Sequence, residues 1–393
     1  MENHPHSKSC VIFSETYLPL LGGAEMYTYN FAKQLSLLGY AVTIFTHTDG
    51  NISREYQLEK VIVQHIPKIR KYQLFRALSL FISTVKIMKK ADLIFVNYTY
   101  ALSTLVVFGK FFNGKSVSVI AHGLGTIIDD THPKIYYFYR FVTLKLADKV
   151  ITTSEEIAQI VRQYTKRVLV ATAVDCAAID QHINLSRVTE IRETYKTRKI
   201  ILIVRRLVEK NGIQFLIEAI PFLFKIQKDF VCIIIGDGRL RNELEERVTK
   251  LDISQYVKFF GAMQNNVVFD YIQAASVVVF PSSAEALSLA AIEVMHIGTP
   301  LLVSNIGGLR ELIGTKSERG TAVDLFGRVE SVYTAPDIHS LSDSVYQEFA
   351  NKLLLVMSES EEIKQKTIVA KKFVDEYFDW PYVAEIILNF ITQ

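Results

Sequence analysis

The sequence predicts a protein of the α/β class with two domains, each built on a parallel sheet. Three observations carry this. Short apolar runs, among them Val11 to Phe13, Ala41 to Phe45, Lys199 to Val204, Phe230 to Ile235 and Val277 to Phe280, alternate with longer segments whose apolar residues recur every three or four positions. Strands covered on both faces read as continuous apolar runs, and their alternation with helices implies parallel pairing. Glycine-bearing turns follow several of these runs, at Gly22-Gly23, Gly236-Asp237-Gly238, Gly261 and Gly307-Gly308. Finally, 393 residues are long for one hydrophobic core and comfortable for two.

Taken in order, the first strand, Val11 to Phe13, runs into a loop with Pro19 and the pair Gly22-Gly23. Ala24, Tyr27, Phe31, Leu35 and Leu38 then mark one buried helix face, and Gly39 stops it. A strand, glycine turn and helix aim backbone N–H groups at an anion, although this pair is not the full dinucleotide fingerprint. Further strands are expected at Val61 to Ile66, Leu93 to Asn97, Val117 to Ala121, Val150 to Thr153 and Val168 to Ala171. Ligands of such sheets sit at the C-terminal strand ends, where His122-Gly123 stands. Tyr100 to Phe112 falls short of the roughly 20 residues that span a bilayer and reads as a buried helix. Lys68 to Lys90 and Lys134 to Lys149, the latter with Tyr136, Tyr137, Phe138, Tyr139 and Phe141 beside Arg140, have the basic, aromatic character of segments that lie on anionic lipid or cover a sheet. Asp180 to Arg198 is charged and reads as the approach to an interdomain linker.

The second half opens with the strand Lys199 to Val204, which ends in Arg205-Arg206 with Lys210 close behind. Fixed positive charge there suits a departing pyrophosphate. From Val277 to Ile313 come a strand, the break Pro281-Ser282-Ser283, two carboxylates with seven residues between them (Glu285 and Glu293), then Gly298-Thr299-Pro300, a strand at Leu301 to Val303 and Gly307-Gly308. On one regular helix the two glutamates would stand about 80° apart around the axis and about 12 Å along it, within reach of one ligand.

Composition narrows the function. The 44 Lys and Arg nearly balance the 41 Asp and Glu, for a net charge of +3, and no interleaved basic and aromatic stripe occurs, so no nucleic acid is expected as a partner. Cys10, Cys176 and Cys232 lack metal-ligand spacing, which points to a reducing compartment without a disulfide framework or zinc motif. The polar N-terminus is unlike a signal peptide, so the expected location is the cytoplasm, with the inner face of the membrane as the place for any lipid contact. No Asp-X-Asp pair is present to hold a metal-bound diphosphate, and no metal or cofactor is expected.

The order Phe280-Pro281-Ser282, Glu285, seven residues, Glu293, Gly298-Thr299-Pro300 and a later Gly-Gly resembles the donor-binding half of the retaining glycosyltransferases of family 4, with the GT-B fold. The likeness extends from Val11 to near the C-terminus. It implies two Rossmann-like domains facing a central cleft: residues 1–185, completed by a closing helix in 377–393 with Trp380 as packing anchor, and residues 186–376. It further implies transfer of a sugar from a nucleotide-diphosphate sugar, a co-substrate, to a hydroxyl of a glycan or lipid-linked acceptor, as in surface polysaccharide or glycolipid synthesis. By the resemblance, Glu293 accepts from the ribose hydroxyls and Glu285 lies by the donor sugar. Backbone N–H groups near Ser288 and Leu289 hold phosphate. Arg206 and Lys210 neutralise the leaving group, and His122 bonds a donor-sugar hydroxyl. Gly22 and Gly23 border the diphosphate, Gly236 the nucleotide and Gly261 the base. The chain departs from the pattern where Arg205 replaces a glycine, where Asn211 takes the usual lysine place with Lys210 one residue early, where Thr172-Ala173 replaces Asn-Gly or Asn-Pro, and in a longer segment, 319–336, holding Asp324, Arg328 and Glu330. A sugar-nucleotide epimerase and a non-catalytic sugar-nucleotide-binding subunit are the rival readings.

Overall fold

The computed structural model describes residues 8–20, 22–48, 50, 52, 57–58, 60–66, 74–97, 100–122, 135–196, 198–285, 287–326 and 341–393. Contacts divide the chain into two units, one of residues up to Ala173 with Trp380–Gln393 and one of Val174–Asp379. The first division therefore falls before the position expected from sequence. The helix Cys176–His182 belongs to the second unit, because Cys176 and Ile179 are buried in its core.

The first unit holds seven strands, β1 (Ser9–Ser14), β2 (Ala41–Thr46), β3 (Val61–His65), β4 (Leu93–Asn97), β5 (Ser118–Ala121), β6 (Lys149–Thr152) and β7 (Val168–Val170). All pair in parallel, in the order β3-β2-β1-β4-β5-β6-β7. Its core gathers Ile12, Phe31, Ile44, Phe95, Ile120 and Ile151 with Trp380 from the last helix, Trp380–Thr392. Trp380 is fully buried, edge-on to Tyr27 at 4.8 Å and near Phe31 at 6.0 Å, so the single tryptophan is the expected anchor of the returning helix.

The second unit has six parallel strands, β8 (Lys199–Val204), β9 (Phe230–Ile235), β10 (Val257–Gly261), β11 (Val277–Phe280), β12 (Leu301–Ser304) and β13 (Thr321–Val323), in the order β10-β9-β8-β11-β12-β13. Successive residues feed opposite faces: Ile200, Leu202, Ile233 and Val278 enter one core, and Ile201, Ile203, Ile234 and Val279 the other. Double burial is why these strands carry no polar alternation. Asp180 to Arg198 is not a linker. It forms the helices Cys176–His182 and Leu185–Thr194, and the second buries Val188 and Ile191.

Tyr100 to Phe112 is also corrected. The helix Ala101–Asn113 buries Leu102, Val106 and Val107, but Phe108, Phe111 and Phe112 face solvent. Of the longer segment after Arg319, Arg328 and Glu330 lie outside the described residues, and Asp324 accepts from Asn305 Nδ2 at 2.6 Å. The start of the segment at Lys68, and Lys134, also lie outside them.

Each sheet reverses its order once, between β1 and β4 and between β8 and β11. Open parallel sheets bind ligands where such a reversal leaves a crevice beyond the strand ends. Gly22-Gly23 follows β1, and Arg205 and Glu285 follow β8 and β11, strands at these points.

Candidate active site

In the second unit, β8 runs out into Arg205 and β11 into Pro281, neighbouring strands across the reversal. The Arg205 guanidinium ion-pairs with Glu285, donates to Ser282 Oγ at 2.6 Å and to Ser288 Oγ at 3.2 Å, and lies 5.1 Å from the Phe280 ring centroid. The paired side chains are only 11% and 14% exposed, so their attraction is screened far less than that of a surface pair. Arg205 Nε is buried without a hydrogen-bond partner among the described residues.

Glu285 and Glu293 do not share a helix. The helix runs Leu289–Ile297, Ser288 is its N-cap, and Ser288 Oγ accepts from Ala291 N at 3.3 Å. Glu285 stands on the loop before it, where its carbonyl accepts from Gly308 N at 3.2 Å. Proline and two serines delay helix entry until Ser288 can cap it. The first N–H groups of the helix, at Leu289 and Ala290, thus have no intrahelical partner, the arrangement that favours an anion. Glu293 is half-buried, and desolvation pushes its carboxyl up to about 7.

Two close backbone approaches hold this end of the sheet. Gly212, at φ +72°, brings its α-carbon so near the Pro281 carbonyl that a Cβ would lie 1.9 Å from the oxygen. Gly236, at φ +140°, is as tight against the Arg205 carbonyl, and its N–H bonds Gly261 O at 2.8 Å. Only glycine fits such positions. Gly261, at φ +74°, ends β10.

Arg206 and Lys210 are exposed, and neither side chain has a hydrogen-bond or ion-pair partner among the described residues. Asn211, in the usual lysine place, is buried and donates from Nδ2 to the Arg206 carbonyl at 2.8 Å. It braces the turn. The sequence marked Arg205 as fixed positive charge and as a departure from the family pattern but did not count it among the site residues, yet it is the residue that contacts Glu285 and Ser288. A long cationic side chain where the strand reversal needs a ligand-facing group was the available signal.

In the first unit, His122 follows β5 and is 7% exposed. Its Nε2 lies 3.1 Å from Asn97 Oδ1, at the end of β4, while Asn97 Nδ2 donates to Ser14 Oγ at 3.2 Å and to Thr28 Oγ1. Because the amide nitrogen serves the two hydroxyls, the amide oxygen accepts from His122, which makes Nε2 the protonated nitrogen. Burial lowers the imidazole to about 3, so it is neutral at physiological pH. Gly22 is the N-cap and Gly23 the first residue of the helix Gly23–Leu37, and the Glu25 carboxylate lies where a Gly22 side chain would project.

Two parallel sheets, each with one reversal of strand order, are the Rossmann-like domains of the GT-B fold, and the comparisons place the chain among glycosyltransferases. Residues 21–177 match the family model "Glycosyltransferase Family 4" and residues 187–331 the model "Glycosyl transferases group 1". Among curated relatives, an uncharacterized glycosyltransferase of Methanocaldococcus jannaschii is 25% identical over 87% of this chain and 93% of its own, and the alpha-monoglucosyldiacylglycerol synthase of Streptococcus pneumoniae is 23% identical over 86% and 81%. Among solved structures, HepE of Anabaena in complex with UDP superposes with a TM-score of 0.79 at 17% identity, covering 98% of this chain and 99% of that one. The chain belongs to glycosyltransferase family 4.

Proposed function

We propose that the protein transfers a sugar from a nucleotide-diphosphate sugar to an acceptor hydroxyl with retention at the anomeric carbon. The observation that carries this is the Arg205–Glu285 pair at the start of the helix Leu289–Ile297. A cation is disfavoured at the positive end of a helix dipole, so the guanidinium there is stable only with anions beside it. Glu285 is one, and a diphosphate would be another. Related chains support the donor class: HepE has been crystallised with UDP and with UDP-glucose.

On this reading the two phosphates meet the free N–H groups at Leu289 and Ala290 and the side chains of Arg205, Arg206 and Lys210. Glu293 accepts from the ribose hydroxyls, which requires its ionised form. Glu285 holds a donor-sugar hydroxyl, and the neutral, fixed His122 is the first unit's candidate for bonding a sugar hydroxyl. As the glycosidic bond breaks, the departing phosphate oxygen takes the proton of the acceptor hydroxyl on the same face. Positioning and fixed charge carry the rate. The basic side chains balance the diphosphate, so transfer continues in EDTA; strict dependence on an added divalent ion would refute that.

The acceptor on this reading is lipid-linked and met at a membrane surface. Phe108, Phe111, Phe112, Ile135, Phe138 and Phe141 are all exposed on two helices, Ala101–Asn113 and Ile135–Leu146, that pack together, and basic residues accompany them. Among the described residues no helix is long and apolar enough to cross a membrane. Two assays test the proposal: release of nucleoside diphosphate with and without candidate acceptors, and sedimentation with anionic liposomes at low salt. Donor turnover alone would favour epimerisation, and donor binding without turnover a non-catalytic subunit.

A further inference from the structure

A second cluster of chemically able side chains lies on the far end of the helix that carries Glu293. His296, 3% exposed, has Nδ1 at 2.6 Å from Asp375 Oδ1 and Nε2 at 3.1 Å from Asp180 Oδ1. Cys176 Sγ, a ring nitrogen of His296 and a carboxylate oxygen of Asp375 all fall within 4.8 Å of one another. Asp379 accepts from Cys176 N at 3.2 Å. Against these, Lys371 donates to the His296 carbonyl at 2.6 Å and stands 3.6 Å from Asp375 Oδ2.

Three carboxylates and a thiol therefore face one lysine and one imidazole. The contacts with Asp180 and Asp375 account for His296 alone and do not involve the Cys176 thiol that lies at the same point. A bound cation would engage all of them, because a coordinated thiol gives up its proton.

We propose that Cys176 Sγ, His296 Nδ1 and Asp375 bind a divalent transition metal of the zinc type, with water in the fourth position. The Nε2–H of His296 then donates to Asp180, the carboxylate partner that orients a metal-bound imidazole. Zinc bonds of about 2.0–2.3 Å put tetrahedral ligand atoms about 3.5 Å apart, so the cluster closes by side-chain rotation. Sulfur and imidazole nitrogen select against magnesium and calcium. Binding replaces the S–H bond with a metal–sulfur bond, and the thiol proton leaves to solvent. Asp180 and Asp375, 64% and 42% exposed, give the ion its way in.

The site would tie together the places where the chain enters and leaves the second unit. Val174 pairs with Asp379 and donates from its backbone N–H to Phe378 O at 2.8 Å. Cys176 follows the first crossing, Asp375 precedes the second, and His296 sits three residues beyond Glu293. The metal is a brace for the donor unit and takes no part in the transfer step, so the EDTA test above and the one below can fail separately.

The test uses full-length protein stripped with a chelator and returned to metal-free buffer. Cobalt(II) titration should produce thiolate-to-cobalt absorption and tetrahedral ligand-field bands, and zinc at about a hundredfold excess over its Kd should raise Tm by about 5 °C. Magnesium should do neither. Cys176→Ala and His296→Gln should abolish the cobalt–thiolate band and the zinc shift. No band in the wild type, or an equal zinc shift in both variants, overturns the proposal. If a variant fails to fold, the wild-type cobalt spectrum decides. A Tm that answers to neither zinc nor cobalt also overturns it, in favour of a purely hydrogen-bonded cluster.

Discussion

His122 in the first unit and Glu293 in the second each stand near a sheet's reversal point, and each has been desolvated. Burial penalises the charged form of both, which moves a base and an acid in opposite directions. His122 falls from 6.5 to about 3, and Glu293 rises from 4.5 to about 7. The imidazole is thereby locked neutral and held by Asn97, a group built for fixed geometry. The carboxyl is left on the edge of ionisation at neutral pH. In the same helix–loop region Glu285 has the Arg205 guanidinium beside it as an ion-pair partner.

Removing Glu285 should have the largest effect. Glu285→Ala is expected to lower turnover by about 10²–10³-fold while circular dichroism stays that of the wild type, since Arg205 keeps Ser282, Ser288 and the Phe280 ring. Turnover within tenfold of the wild type would remove Glu285 from the reacting sugar.

Glu293→Gln comes next. Hydrogen bonds to a charged acceptor contribute about 1.5–3 kcal/mol, so nucleoside diphosphate should bind about ten- to a hundredfold more weakly in isothermal calorimetry above pH 7. Wild-type affinity should climb as pH rises through about 7, the value to which burial lifts the carboxyl, and the glutamine variant should lose that slope. A slope shared by both proteins would assign the titration elsewhere.

Stability should show the two signs directly. Between pH 4.5 and about 7 the folded chain keeps a proton on Glu293 that the unfolded chain has lost, so this group makes stability fall as pH rises. Between 6.5 and about 3 the unfolded chain protonates His122 and the folded chain does not, so this group makes stability fall as pH drops. Denaturant midpoints across pH should therefore lose their acid-side decline in His122→Gln and their rise toward acid in Glu293→Gln. Smallest of all, Asn211→Ala should cost about 1 kcal/mol of stability through its lost bond to Arg206, whereas Lys210→Ala should leave the melting temperature unchanged and weaken only donor binding.

Much of the fold was legible because parallel strands buried on both faces need unbroken apolar residues. β8, β9 and β11 were readable to their ends for that reason. β13 was not, since a three-residue strand, Thr321–Val323, holds too little pattern to register. The charged stretch through Leu185 concealed a packed helix, because Val188 and Ile191 are its only buried residues among many polar ones. At the site, the glutamates and the two arginines could be named from their order in the chain, and Ser288 from the family resemblance. Where the helix begins could not, because Ser288 competes with Pro281 and Ser283 as a stopping point and only the geometry of the cap decides.

What the sequence determined by itself was the kind of architecture and a set of candidate site residues, because periodicity and side-chain chemistry are local properties. The tertiary structure alone decided partnership. It turned Arg205 toward Glu285, folded Asn211 back on its own turn, exposed Phe111 and Phe112, and brought residues 176, 296 and 375 together. Those outcomes depend on which strand ends and helices come to lie side by side, and chain spacing carries no record of that.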